Sequence, residues 1–233
     1  MGLPETFAHL LTVLRPAPLP GRCICLSDLH AGAGPNRDPL KGSGTEPAVV
    51  DLLEDFFAQG YWLLKNGDWW DVWRGGDLES VWAVHPELVA IYRKYRDAGR
   101  VYETEGNHEK NLVSYPVAVL LEGFGKKVFM DHGWLWDKWN CRDWKVGRAA
   151  VRTADELGIV SETSPHPANA DRHAAVRKMR RELAEANPGY DFLWGHTHFW
   201  CDEGNDHNSG SSLVGVAQGF GIEEGNFIKL ERS

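Results

Sequence analysis

The sequence predicts an α/β layered fold, and three observations predict it. Short apolar runs alternate with segments of helical periodicity through the first part of the chain, and strand-like runs stand alone near its end. Short polar motifs follow directly after the strand-like runs, where α/β sheets place their ligand sites. The first strand is expected at 22–27 (RCICLS), a run in which alternate residues share a face. Thr45 can cap a helix over 46–59, with Val49, Val50, Leu53, Phe56 and Phe57 on one side and Gly60 at its end. A second strand follows at 61–64. The next helix, 86–98, starts on Pro86, carries Leu88, Ile91, Tyr92 and Tyr95 at helical spacing and stops at Gly99. A third strand is read at 101–104. Pro116 suits the first turn of a helix running to about 122, before a strand at 127–130. Two helices, 142–157 and 168–186, flank the segment SETSPHP, and another strand is expected at 191–194. The segments 211–216 and 227–230 are expected to close the fold as a β-pair.

A chain of 233 residues favours one domain, 1–233. With 42% hydrophobic and 25% charged residues, it is neither wholly disordered nor collagen-like. No apolar run reaches the ~18 residues a membrane-spanning helix needs. The formal charge of −8 disfavours nucleic acid as a partner of the chain as a whole. None of the four cysteines forms a C-x-x-C pair; Cys23 and Cys25 read as buried free thiols, which fits a reducing cytoplasm. The first residues lack a basic n-region and an A-x-A-like cleavage site, so a cytoplasmic protein is expected.

Five short motifs hold the chemistry. Ser27-Asp28-Leu29-His30 follows the first strand, and Asn66-Gly67-Asp68-Trp69-Trp70-Asp71 the second. Gly106-Asn107-His108-Glu109, Asp131-His132-Gly133 and Gly195-His196-Thr197-His198 follow later strands. Taken singly, each is weak: a D-x-H triplet arises by chance, and Asn107-His108 reads more simply as a turn with an Asx hydrogen bond. Five in order, each after a strand, point jointly to metal. Hard oxygen donors mixed with imidazoles and no thiolate suit Mn, Fe or Zn better than Ca, Mg or a structural zinc site. Seven donors exceed what one ordinary ion takes and suit two divalent ions sharing a carboxylate, with Mn the first expectation.

In order and spelling, Asp28-x-His30, Gly67-Asp68-x-x-Asp71, Gly106-Asn107-His108-Glu109, His132 and Gly195-His196-x-His198 resemble the motifs of the calcineurin-like metallophosphoesterase superfamily. The resemblance spans 24–198. It implies a four-layer αββα sandwich with a dinuclear centre at one end of the sheets. On that pattern Asp28, His30 and His198 would hold one ion, Asn107, His132 and His196 the other, and Asp68 would bridge them. Within the superfamily, Asp68 to Trp73 with the following Gly75-Gly76-Asp77 is similar to the UDP-2,3-diacylglucosamine pyrophosphatases, as are Asp137 after His132-Gly133 and the run Asn208-Ser209-Gly210-Ser211.

A phosphate ester resists hydrolysis because its anionic oxygens repel nucleophiles and neutral water is a poor one. Two close cations relieve both difficulties, and the expected nucleophile is a hydroxide bridging them. His108 adjoins a ligand in sequence and is the candidate for protonating the leaving oxygen or stabilising phosphoryl charge. Asp71 is expected to hydrogen-bond His108 and fix its tautomer; its alternative is a carboxylate favoured by a helix N-terminus. The 63 residues between His132 and His196 exceed one strand connection, and 134–190 is expected to form a helical lid or insertion. Its basic run 171–182 offers Arg177 and Arg180 as substrate contacts, against the simpler reading of a solvated helix face. Seven of the 11 tryptophans fall in two clusters beside the metal motifs; Trp73 and its neighbours either line the pocket or cap the core. The expected partner is a small phosphorylated, nucleotide-linked substrate. The readings in order are a phosphohydrolase of the pyrophosphatase type, a phosphodiesterase or nuclease, and a non-catalytic binding module on the same scaffold.

Overall fold

Alternation along the strands decides the layering. Cys23 and Cys25 point to one side of their strand and Ile24 and Leu26 to the other, and each pair is wholly buried in a different core. The computed structural model describes residues 3–33, 38–73, 76–109, 115–137, 167–212 and 216–232. Its elements are α1 (Leu3–Val13), β1 (Ala17–Pro18), β2 (Arg22–Leu26), α2 (Pro39–Ser43), α3 (Glu46–Ala58), β3 (Trp62–Asn66), α4 (Leu78–Val84), α5 (Pro86–Asp97) and β4 (Val101–Thr104). There follow β5 (Ala118–Gly123), β6 (Lys126–Asp131), a 3-10 turn (Trp134–Trp136), α6 (Pro167–Ala186), β7 (Asp191–Trp194), β8 (Trp200–Glu203), β9 (Asp206–Ser209), β10 (Ala217–Glu223) and β11 (Asn226–Arg232).

Two mixed sheets result, one in the order β1-β5-β6-β7-β9-β8 and the other β11-β10-β2-β3-β4. Between them lie Cys23, Cys25, Leu64, Val128, Met130, Leu193 and Phe220. Helices α3 and α5 cover the outer face of the second sheet through Val49, Leu53, Ile91 and Tyr95. Helices α1 and α6 cover the first through Phe7, Leu10, Leu183 and Ala184. This is the expected four-layer αββα arrangement. The buried thiols are as expected for Cys23 and Cys25, and burial pushes the Cys23 thiol up to about 12. No helix among the described residues is long and apolar enough to cross a membrane.

Two expected elements are corrected. The segment opened by Pro116 is not a helix: Ala118–Gly123 is a strand paired antiparallel with Lys126–Asp131. The turn between them, Phe124-Gly125, has positive φ at both residues (52° and 72°), the geometry of a two-residue hairpin. A short apolar run such as Ala118 to Leu121 satisfies either periodicity, and strand pairing settled it. In the tail, Ser211 and Ser212 are not in a strand; the partner of β11 is β10, which also pairs with β2. The expected helix 142–157 lies outside the described residues, as does most of the expected lid before α6.

His85, which stands in no motif, is a buried joint. Its Nδ1 lies 2.7 Å from Glu46 and its Nε2 3.0 Å from both Asp38 and the Gly32 carbonyl, tying the loop after β2 to α3 and α5. Burial opposes its charge, but Asp38 and Glu46 outweigh burial and raise its pKa from 6.5 to about 9. A raised folded-state pKa means this stabilisation is complete below pH 6.5 and is lost as the pH climbs through about 9. Urea denaturation between those values is expected to show a loss of about 3 kcal/mol that is absent from His85→Gln. An equally steep profile in the variant would refute this assignment.

Candidate metal centre

Each metal motif begins where a strand ends, and the loops after β2 and β3 are laced together. The amide of Asp28 donates to Gly67 O (3.1 Å), that of His30 to Asp68 O (2.9 Å) and that of Asp71 to Ala31 O (2.8 Å). The amide of Gly195 donates to His132 O (3.0 Å), joining the loops after β6 and β7. Among the described residues, seven non-glycine residues have positive φ; five of them are Asp28, His30, Asp68, His196 and His198. Side chains with a Cβ resist this conformation, so the surrounding loops must hold it in place. Strain gathered on five of the seven expected ligands marks the site without reference to any motif.

Three groups of side chains converge with their ligand atoms within 4.8 Å: Asp28, His30 and His198; Asp68, His132 and His196; and His30, Asp71 and His108. Asp28 Oδ1 lies 3.3 Å from His198 Nε2 and 3.7 Å from His132 Nε2, so it faces both of the first two groups. Asp68 Oδ2 is 3.1 Å from His132 Nε2, and the Nε2 atoms of His30 and His198 are 3.1 Å apart. The structure thus brings these six sequence-predicted residues together.

Burial would raise both carboxylates, but His132, joined by His198 at Asp28 and by His108 at Asp68, holds them well below the usual carboxylate range. Burial likewise opposes charge on His132, yet Asp68 and Asp28 raise it to about 9. Burial lowers His30, against the pull of Asp71. The site therefore presents buried anions beside imidazoles that must give up protons to act as ligands, which makes cation affinity rise with pH.

The residues fit divalent cations. Asn107 Oδ1 is a buried polar atom with no hydrogen-bond partner among the described residues, and His132 Nε2 and His30 Nδ1 are buried facing only carboxylates, an arrangement that a coordinated ion would satisfy. The opposite nitrogen of His132, Nδ1, is fixed 2.8 Å from Asn66 O, which leaves Nε2 for the cluster. Asn107 takes its place through the loop after β4, where the amide of the next residue, His108, donates to Asp68 Oδ1 (2.8 Å).

Glycine makes this packing possible. A Cβ at Gly106 would overlap the carboxylate and backbone nitrogen of Asp68. Gly106→Ala is therefore expected to weaken metal binding by roughly 10–100-fold, as titration calorimetry would read; unchanged affinity would contradict this account.

Around the cluster, Asp71 Oδ1 lies 2.9 Å from His108 Nδ1, and Asp71 Oδ2 3.4 Å from His30 Nδ1. Asp137 is buried with Oδ2 3.1 Å from His196 Nε2, so this expected substrate contact sits against an expected ligand. Arg180 is buried too, donating to Gly195 O (2.9 Å) beneath the Trp194 ring, and burial lowers its pKa to about 10. It braces the loop that presents His196 and does not extend into solvent. Arg177 lies over the ring of Phe199, 4.6 Å from its centroid, next to His198 in sequence. Trp73 is almost wholly buried, stacked on His108.

Sequence reasoning missed the braces. Glu109 Oε1 accepts from the amides of Trp69 and Trp70 (3.0 Å each) and from Lys65 Nζ (2.8 Å), with all four residues wholly buried. The signal was a lysine inside the apolar strand WLLKN. Asn208 donates to Gly195 O (3.0 Å) and Thr197 Oγ1 (2.9 Å), while Ser211 donates to Asp28 O (2.8 Å). These side chains, like Arg180, hold ligand loops from behind.

The family model for calcineurin-like phosphoesterases matches residues 21–199. Solved structures similar to this chain include a predicted phosphoesterase from Streptococcus pneumoniae TIGR4 (14% identity, 93% of this chain, 100% of that chain, TM-score 0.41). Vacuolar Protein Sorting 29 from Cryptosporidium parvum (13%, 90% and 95%, TM-score 0.41) and a Vps29 single mutant from Entamoeba histolytica (13%, 90% and 97%, TM-score 0.43) are also similar. No curated protein matches the sequence. With every ligand motif falling inside the matched span, the chain belongs to the calcineurin-like phosphoesterase family.

Proposed function

We propose that this protein is a two-ion metallohydrolase that cleaves a phosphoester or pyrophosphate bond in a small, nucleotide-linked substrate. The observation that supports it is the convergence of buried Asp28 and His30 and partly exposed His198 beside buried Asp68, His132 and His196. The first three would hold one ion; His132, His196 and Asn107 would hold the second; Asp68 would serve both. When bound, a pair of divalent ions supplies charge neutralisation to the phosphate oxygens and acidifies water. An oxygen- and imidazole-rich donor set without thiolates favours Mn, with Fe or Zn as substitutes.

His108 is the group assigned to the leaving oxygen. With Nδ1 against Asp71, its Nε2 is the nitrogen assigned to donate a proton. Asp71 holds the Nδ1 proton and stabilises the doubly protonated imidazolium, the form that can donate from Nε2.

The reading is tested by Mn-dependent hydrolysis of an aryl phosphomonoester, a bis-aryl phosphodiester and a UDP-sugar pyrophosphate. Activity on at least one that is abolished by chelation and restored by Mn is expected. Preference for the UDP-sugar would support the pyrophosphatase type, and preference for the diester a phosphodiesterase. A metal-loaded protein that turns over none of them would overturn the proposal in favour of a binding module.

A further inference from the structure

The loop after β3 supplies two contacts to His108. Asp71 takes one ring nitrogen, and two residues later Trp73 lays its indole against the ring face, with centroids 4.2 Å apart and planes 18° from parallel. The Trp73 amide donates to the same Asp71 oxygen that faces His108 (3.1 Å), so the two contacts are built on one rigid turn. From another side the His30 ring meets His108 edge-on at 4.6 Å and 82°. Trp73 itself is 1% exposed, which leaves its ring little surface to offer a substrate.

The terminal torsion of a histidine is broad, and a carboxylate against Nδ1 restrains one edge of the ring without fixing its plane. A flat wall against the ring face supplies that restraint. We propose that Trp73 is a positioning residue for His108: its stacked indole fixes the imidazole plane and with it the direction in which Nε2 points. The inference rests on the phosphohydrolase reading. In the step concerned, a water oxygen bonds to phosphorus as the bond from phosphorus to the leaving oxygen breaks. The Nε2 proton passes to that departing oxygen, and His108 remains neutral with its Nδ1 proton on the Asp71 side. The proton shed by the water returns through solvent to recharge the imidazole.

A positioning role through a general acid predicts dependence on the leaving group, because a good leaving group needs little protonation. The experiment compares wild type, Trp73→Leu and Trp73→Phe, each reconstituted with metal, on phosphate esters running from 4-nitrophenol through phenol to an alkyl alcohol. Trp73→Leu is expected to lose a few-fold in kcat on the nitrophenyl ester and about 100-fold on the alkyl ester, with KM little changed. Trp73→Phe, which keeps a stacking face, is expected near wild type, and Trp73→Leu should add nothing to His108→Ala. An equal loss across the series, or a Phe variant as impaired as the Leu variant, would overturn the proposal.

A second measurement needs no tryptophan variant to fold. In the diamagnetic Zn-loaded protein, the ring protons of His108, assigned by their absence from His108→Gln, are expected upfield from the indole ring current. Unshifted resonances would also overturn the stack. Wild-type protein that hydrolyses neither these esters nor the phosphodiester and UDP-sugar pyrophosphate defeats the phosphohydrolase reading, and this proposal with it; the resonance position reports separately on the geometry.

Discussion

His108→Ala is expected to retain its metals and to lose turnover by about 10²–10⁴-fold, the range for a positioned general acid. That corresponds to about 3–5 kcal/mol of transition-state stabilisation. Metal retention follows from geometry. His108 stands outside the two groups assigned to the ions and meets the cluster through its backbone amide on Asp68, which alanine keeps. Its side chain is bound instead to Asp71 and Trp73. Elemental analysis beside kcat separates the outcomes. Wild-type turnover on a poor leaving group would remove His108 from the chemistry, and lost metal would make it a ligand together with His30 and Asp71.

The second large effect falls on stability. Glu109→Ala strands the Lys65 ammonium in a wholly buried position and leaves the amides of Trp69 and Trp70 without their acceptor. Removing one partner of a buried ion pair costs about 3–5 kcal/mol, a large share of the 5–15 kcal/mol that holds a typical domain together. Thermal melting is expected to shift down by roughly 10 °C or more. The cause can be isolated by Lys65→Met with Glu109→Gln, which removes the charge and keeps an acceptor for the two amides. This double variant is expected to recover at least half of the loss. If it melts no higher than Glu109→Ala, the stranded charge is not the reason. Because Glu109 also lies 3.5 Å from the Gly106 amide, it joins the loops that present Asp68 and Asn107. The same residue therefore supports both the fold and the alignment of the site.

Much of the molecule was legible from local pattern. The strands at β2, β4, β6 and β7 and the helices α3, α5 and α6 fall close to the expected boundaries, since Gly60, Pro86 and Gly99 punctuate them and their apolar positions keep a clear period. The hairpin of β5 and β6 was not legible, because Ala118 to Leu121 satisfies helix and strand alike and only the partner strand resolves it. The short helices α2 and α4 escaped notice; five and seven residues give too little periodicity to read. The cap expected at Thr45 forms no side-chain bond to its helix, since the hydroxyl pairs with Ser43 instead.

By itself the sequence determined the layered α/β class and the order of the polar motifs, and it named the candidate donors. Donor chemistry is a property of residue type, and ligand loops at strand ends follow from periodicity. Only the tertiary structure decided that Asp28 faces imidazoles from two groups, that His85 clamps the first loop, that Arg180 braces a carbonyl and that Trp73 lies on His108. Those facts depend on which loops meet after the sheets stack. Contacts between residues far apart in sequence are fixed by packing and strand register, and no local window of sequence encodes them.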